Sequence, residues 1–292
     1  MLTTLKNDRL TVSAESVGAE LQAIDTAEGI SYLWNGDPAH WTGHAPILFP
    51  IVGTLREGRA QSAQGEIALP RHGFCRRASF QTEAATQTAV TYRLSDSEET
   101  RRVYPYAFRL LVGYELLEDG VVTRCRVKNT GDKPMPFAIG GHPAFRVPLC
   151  EGEIFEEYRI AFPEPETADC PQMDLNTGLL LDGRRNRVLN GQAELTLNHG
   201  LFRGDALVFD ALKSRSVRLY STKSGRGVSL DFDGFDYLGI WSPSLDAPFV
   251  CLEPWTGMAT RASEDDVFEH KLGMTELAPG DEKAFAFTIR VF

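Results

Sequence analysis

Two side chains stand where local sequence, rather than strand alternation, aims them. His142 follows two glycines and precedes a proline in Ile139-Gly140-Gly141-His142-Pro143-Ala144-Phe145. The backbone must turn sharply there, and the residue before proline is pushed out of the helical region. Glu253 follows the apolar run Phe249-Val250-Cys251-Leu252 and precedes Pro254-Trp255-Thr256-Gly257. A carboxylate closing such a run is either paired with an arginine or held for proton transfer, because an unpartnered buried charge is costly. Histidine and glutamate are the usual side chains of general acid–base catalysis. His142 has a second reading, an imidazole bonded to a main-chain carbonyl. His72, in Arg71-His72-Gly73-Phe74-Cys75-Arg76, has the same two. A fourth segment, Ile47 to Arg59, also gathers polar groups among Gly, Pro and aromatic residues. Functional side chains tend to sit on such loops when a rigid scaffold holds them.

Other patterns point elsewhere or nowhere. His40 and His44 have i,i+4 spacing, but Asp37-Pro38 before them and Gly43 between them oppose a helix, and Trp41 stands where a zincin needs glutamate. They read as loop histidines. There is no phosphate-binding glycine loop, no dinucleotide fingerprint and no nucleophile elbow. The sequence thus implies no metal and no organic cofactor, and redox or ATP-driven chemistry drops out. Acid–base work by histidine and carboxylate remains, or carbohydrate binding without catalysis.

The elements that must position these residues are strands. In Lys283–Phe292, residues Phe285, Phe287, Ile289 and Val291 alternate with Thr288 and Arg290, the pattern of a half-buried strand. Val121–Val127, Ala193–Leu197, Val217–Tyr220 and Gly227–Phe232 read the same way. Leu110–Leu116 is more continuously apolar and reads as a strand buried on both faces. Turn signals such as Asn129-Thr130-Gly131-Asp132 and Pro279-Gly280 recur between these runs. One short helix is expected over Ser97–Val103, opened by Ser95 or Asp96 and stopped by Pro105. No linker or repeat divides the chain, so residues 1–292 read as a single large all-β domain.

Composition excludes several classes. With 292 residues, 42% hydrophobic and 24% charged, the chain is neither disordered nor fibrous. Thirty basic against 40 acidic residues give a net charge of −10. That argues against a nucleic-acid partner, which would ask for a basic domain or stripe. No apolar run approaches the ~18 residues of a membrane helix. Five scattered cysteines without a C-x-x-C pair, and no leader-like start, fit a reducing, cytoplasmic setting. Sequence gives no oligomeric state.

The four segments together resemble the aldose 1-epimerase (mutarotase) family. The matching residues are Phe49-Pro50 with Gly53 and Arg56, Arg71-His72-Gly73-Phe74, Gly140 to Phe145, and Leu252-Glu253-Pro254-Trp255. Tyr104-Pro105-Tyr106-Ala107-Phe108 is similar too, and the matches run in family order across nearly the whole chain. The likeness is strongest to the shorter LacX-like bacterial branch. It implies a β-supersandwich, two large antiparallel sheets packed face to face. It also implies His142 as general acid, Glu253 as general base, and Arg56 and His72 as sugar-binding groups. Asp205, in Phe202-Arg203-Gly204-Asp205-Ala206, is the nearest counterpart of the family's substrate-binding aspartate, without the histidine that usually follows it. Trp241 and Trp255 offer faces on which a pyranose could stack, or they belong to the core.

The implied reaction opens a cyclic hemiacetal, rotates about C1–C2 and recloses on the other face. Glu253 would take the C1 hydroxyl proton while His142, as imidazolium stabilised by the carboxylate, protonates the ring oxygen. The implied partner is a monosaccharide or a sugar phosphate. A hexose-6-phosphate 1-epimerase shares this pair and would add an arginine cluster at the mouth, for which Arg59, Arg76 and Arg77 are candidates. A non-catalytic sugar-binding module is the reading from another class.

Overall fold

The C-terminal alternation becomes the strand Glu282–Val291, with Phe285, Phe287, Ile289 and Val291 buried. The computed structural model describes residues 1–243 and 246–292. That strand lies between Gly120–Asn129 and Gly227–Asp231 in a nine-stranded sheet. From one edge the order is Leu180–Thr196, Tyr158–Met173, Ser216–Ser221, Gly227–Asp231, Glu282–Val291, Gly120–Asn129, Phe108–Leu116, Ala89–Ser95 and Gln81–Ala85. A six-stranded sheet carries the chemistry. Its strand Phe249–Trp255 pairs with Tyr237–Trp241 on one side and with Gly140–Gly141 and Ala144–Arg146 on the other. Leu207–Phe209 and Ile47–Leu48 lie at its two edges. All pairs in both sheets are antiparallel.

The two sheets pack face to face as a sandwich. Phe287 of the larger sheet presses on Gly141 of the smaller, and a Cβ added to Gly141 would lie 2.6 Å from its ring. Only glycine fits there, and the close approach fixes the height of the backbone that carries His142. Phe137 meets Phe285 edge-on at 6.1 Å. One apolar cluster runs from Leu5 to Val291, and each large side chain fully buried in it contributes roughly 1.5–3 kcal/mol.

Two local expectations change. Phe108–Leu116 is not buried on both faces: Phe108, Leu110, Val112, Tyr114 and Leu116 are buried while Arg109, Leu111 and Gly113 are half-buried and Glu115 is exposed. The outer face of the larger sheet is open to water there, and Glu115 pairs with Arg124 of the next strand at 3.2 Å. The helix spans Glu98–Val103 and is opened by Ser97, whose hydroxyl accepts from Thr100 N while Thr100 Oγ1 accepts from Ser97 N. This reciprocal cap satisfies two otherwise orphaned donors. Asp96 is occupied elsewhere, accepting from Phe108 N and pairing with Arg101. All five cysteines are free. Among the described residues, no helix is long and apolar enough to cross a membrane.

Candidate active site

Strand periodicity places Glu253. Phe249–Trp255 is buried along its whole length, and Cys251, Glu253 and Trp255, two residues apart, share one face. Gly239, opposite Glu253 in the neighbouring strand, makes room for Trp255: a Cβ there would lie 2.8 Å from the indole. His142 sits in the step between Gly140–Gly141 and Ala144–Arg146, with its N–H bonded to Pro46 O at 3.0 Å. The two elements bring His142 Nε2 within 3.1 Å of Glu253 Oε2.

Both side chains are buried, 7% and 1% exposed. Despite that distance, Glu253 Oε2 has no hydrogen-bond partner among the described residues, and neither has His142 Nδ1. Burial dominates their ionisation. It pushes His142 down to about 3, with Arg71 and Arg76 adding repulsion, and raises the Glu253 carboxyl well above its ordinary range. Both shifts favour the neutral form of the pair, with its one proton on Glu253. The imidazolium–carboxylate pair expected from sequence has the same proton count but places two charges out of water.

His72 faces His142 edge-on, ring centres 5.8 Å apart. It has a left-handed backbone, φ +68°, and its Nδ1 accepts from Gly53 N at 3.2 Å. That bond fixes the tautomer with the proton on Nε2. Burial, and then His142, hold His72 neutral, well below its ordinary value. His72 is thus a neutral donor.

These residues line a cavity of about 490 Å³, counting its open mouth, together with Trp41, Arg71, Arg76, Asp205, Ala206, Trp241 and Trp255. Trp41 stacks on the His142 ring at 4.8 Å, and Trp241 meets that ring edge-on at 5.5 Å. Asp205, at φ +74°, binds Arg71 through both carboxylate oxygens at 3.1–3.2 Å. Arg76 is half-buried and reaches the Arg71 carbonyl at 3.4 Å.

Six of the seven residues singled out from sequence meet here: His72, His142, Asp205, Trp241, Glu253 and Trp255. Arg56 does not. Its Nε binds the Asp266 carboxylate at 2.9 and 3.1 Å, and a terminal nitrogen binds the carbonyls of Ala262, Glu264 and Arg261. Its donors hold the 261–266 loop, away from the cavity wall. Arg71 and Arg76 bring guanidinium groups to the cavity wall instead. Of the mouth arginines expected for a phosphate, Arg76 lines the cavity; Arg59 is bound to Glu66, and Arg77 is exposed and off the wall. Trp41 and Arg71 were not singled out. Arg71 adjoins His72 and had a signal in its motif; Trp41 lies in a loop without period and had none.

A family model described as aldose 1-epimerase matches residues 1–289. The chain belongs to the aldose 1-epimerase family. Within it, the chain is 40% identical over 297 residues to the chromosomal Protein LacX of Lactococcus lactis subsp. lactis, covering 100% of this chain and 99% of that one. A galactose mutarotase related enzyme from Lactobacillus acidophilus is similar in structure, with a TM-score of 0.94 and 33% identity over 100% of this chain and 97% of that one. A galactose mutarotase-like protein from Lactobacillus casei ATCC 334 has a TM-score of 0.92 and 29% identity, with both chains fully covered.

Proposed function

We propose that this family member interconverts the α and β anomers of a hexose, with Glu253 and His142 as the acid–base pair. The observation that carries this reading is their 3.1 Å contact on the cavity wall, where each keeps a buried polar atom without a hydrogen-bond partner among the described residues. A purely structural pair would be expected to have those atoms satisfied.

Ring opening takes a proton from the C1 hydroxyl and gives one to the ring oxygen as the C1–O5 bond breaks and C1=O1 forms. With Glu253 as carboxylate and His142 as imidazolium, the step ends on protonated Glu253 and neutral His142. That end state is the one burial favours, so the site stabilises the side of the reaction facing the open-chain aldehyde. A sugar hydroxyl donating to Glu253 supports the carboxylate and moves the shared proton across to His142. Rotation about C1–C2 and the reverse transfers reclose the ring. Each positioned group is worth ~10²–10⁴ in rate. His72 Nε2–H would donate to a sugar oxygen and Arg71 to a hydroxyl, and Trp241 and Trp255 would face the pyranose ring.

One observation favours a second substrate. Arg71 and Arg76 stand on the same wall, and two guanidinium groups suit a phosphate. A hexose 6-phosphate would then compete with Asp205 for Arg71.

The test is anomer exchange by NMR saturation transfer with glucose, galactose and glucose 6-phosphate, against an enzyme-free blank. Accelerated exchange of a free sugar, lost in Glu253→Gln and His142→Asn, is the expected result. Acceleration confined to the phosphosugar moves the assignment to the second reading. Folded protein that binds sugar and accelerates none of the three contradicts both and leaves a binding module.

A further inference from the structure

Cys251 has no part in the proton transfers above, yet it lies beside them. It shares a strand face with Glu253, and ligand atoms of His142, Cys251 and Glu253 all fall within 4.8 Å of one another. All three residues are buried. We propose that these three side chains form an inhibitory site for a thiophilic divalent cation, of which zinc is the natural representative, bound across the acid–base pair.

Four features support the site. Zinc takes nitrogen at about 2.0–2.1 Å, sulfur at about 2.3 Å and carboxylate oxygen at about 2.0–2.2 Å, so small side-chain movements close the triangle around it. The buried Glu253 Oε2 lacks a hydrogen-bond partner among the described residues and has His142 Nε2 at 3.1 Å, so two ligand atoms already converge with one of them unsatisfied. One thiolate and one carboxylate cancel the charge of a divalent ion, and a neutral assembly is the form a buried site tolerates. The cavity reaches His142 and Glu253 from solvent, which provides the entry path and leaves a fourth position for water.

Protons balance. The empty site holds one proton on the Cys251 thiol, whose ionisation burial strongly opposes, and one shared by His142 and Glu253. Binding the cation releases both and forms bonds to sulfur, nitrogen and oxygen, with no change of oxidation state. Hard cations such as magnesium and calcium, which prefer all-oxygen sites, are excluded by the thiol and imidazole. A cation held there removes both the base and the acid from the sugar, so occupancy and anomer exchange are mutually exclusive.

The experiment titrates metal-free protein with cobalt(II) and reads the thiolate-to-cobalt absorption band, without sugar. The proposal expects one cobalt per chain with that band, its displacement by zinc, and loss of the band in Cys251→Ala. In Cys251→Ala, exchange without metal stays as in the parent, while the zinc concentration needed for inhibition rises by at least about tenfold, the low end of what disturbing a metal site costs. Glu253→Gln, which keeps the thiol, should bind cobalt at least about tenfold more weakly and decides the matter should Cys251→Ala fold poorly. Absence of the band in the parent overturns the site. So does unchanged zinc sensitivity in folded Cys251→Ala, or unchanged cobalt affinity in Glu253→Gln. The absorption readout needs no turnover, so it stands or falls apart from the epimerase reading.

Discussion

Glu166 and Glu253 are buried alike, each 1% exposed, and do opposite things. Glu166 falls on the inward phase of the strand Tyr158–Met173, in step with Tyr158, Ile160, Phe162, Ala168 and Cys170. There it accepts from Ser214 N at 2.7 Å and from Lys213 N at 3.0 and 3.2 Å. Its charge is spent on closing a backbone turn. Glu253 lies in a regular strand, against a histidine and a tryptophan, with one oxygen lacking a hydrogen-bond partner among the described residues. Burial of a carboxylate therefore says little about function until its hydrogen bonds are counted. A satisfied carboxylate stabilises the fold, whereas an unsatisfied one costs stability and keeps its proton available.

The contrast gives an ordered set of expectations. Glu253→Gln should lower anomer exchange by about 10²–10⁴. It should also raise the thermal midpoint at neutral pH by a few degrees. The sign follows from linkage: the unfolded carboxyl ionises as pH rises through 4.5, whereas the folded one, with its value raised, keeps its proton. The unfolded state then binds fewer protons, so the parent loses stability relative to the variant above pH 4.5 and the difference disappears below it. Melting curves at pH 4 and 7 check this, and a less stable variant at pH 7 would show that Glu253 is an ordinary structural group. Glu166→Ala should cost roughly 1.5–3 kcal/mol, the worth of hydrogen bonds to a charged acceptor, in urea titration. Exchange by the folded protein should be unchanged.

Smaller effects separate the two arginines. Arg71→Gln removes a guanidinium from the cavity wall and should raise KM about tenfold, the equivalent of roughly 1.4 kcal/mol, a plausible cost for one charge-assisted contact. Arg56→Gln should leave KM alone and cost less than about 1 kcal/mol of stability, since its ion pair with Asp266 is partly exposed. Should Arg56→Gln raise KM as much as Arg71→Gln, the role implied by family resemblance would be right and the geometric assignment wrong.

Much of this was readable in the sequence, for identifiable reasons. Phe285, Phe287, Ile289 and Val291 report the larger sheet because one of its faces meets solvent and the period of two survives. Glu253 and His142 stood out because an apolar run and a Gly-Gly…Pro frame are local signals. Leu110–Leu116 misled because Leu111 and Gly113 on its outer face are not polar, so composition hid an alternation that burial reveals. That Arg71 and not Arg56 lines the cavity has a different reason. Both lie in family-like motifs, but the left-handed backbone at His72 breaks strand alternation and lets Arg71 and His72, neighbours in sequence, reach the same cavity. Trp41 meets His142 only through the closure of the fold, which no local pattern encodes.

The most direct test of a burial-driven, one-proton pair is the pH dependence of kcat/KM for anomer exchange in the free enzyme. Activity requires a single proton on His142 and Glu253 together. Burial moves the acid limit from the ordinary histidine value of 6.5 toward about 3 and the alkaline limit well above 4.5. The account predicts no loss of activity from pH 7 down to pH 5, since the acid limit lies toward about 3. A profile that falls tenfold per unit below a midpoint near 6.5 would contradict it, because His142 would then titrate as an ordinary solvated imidazole.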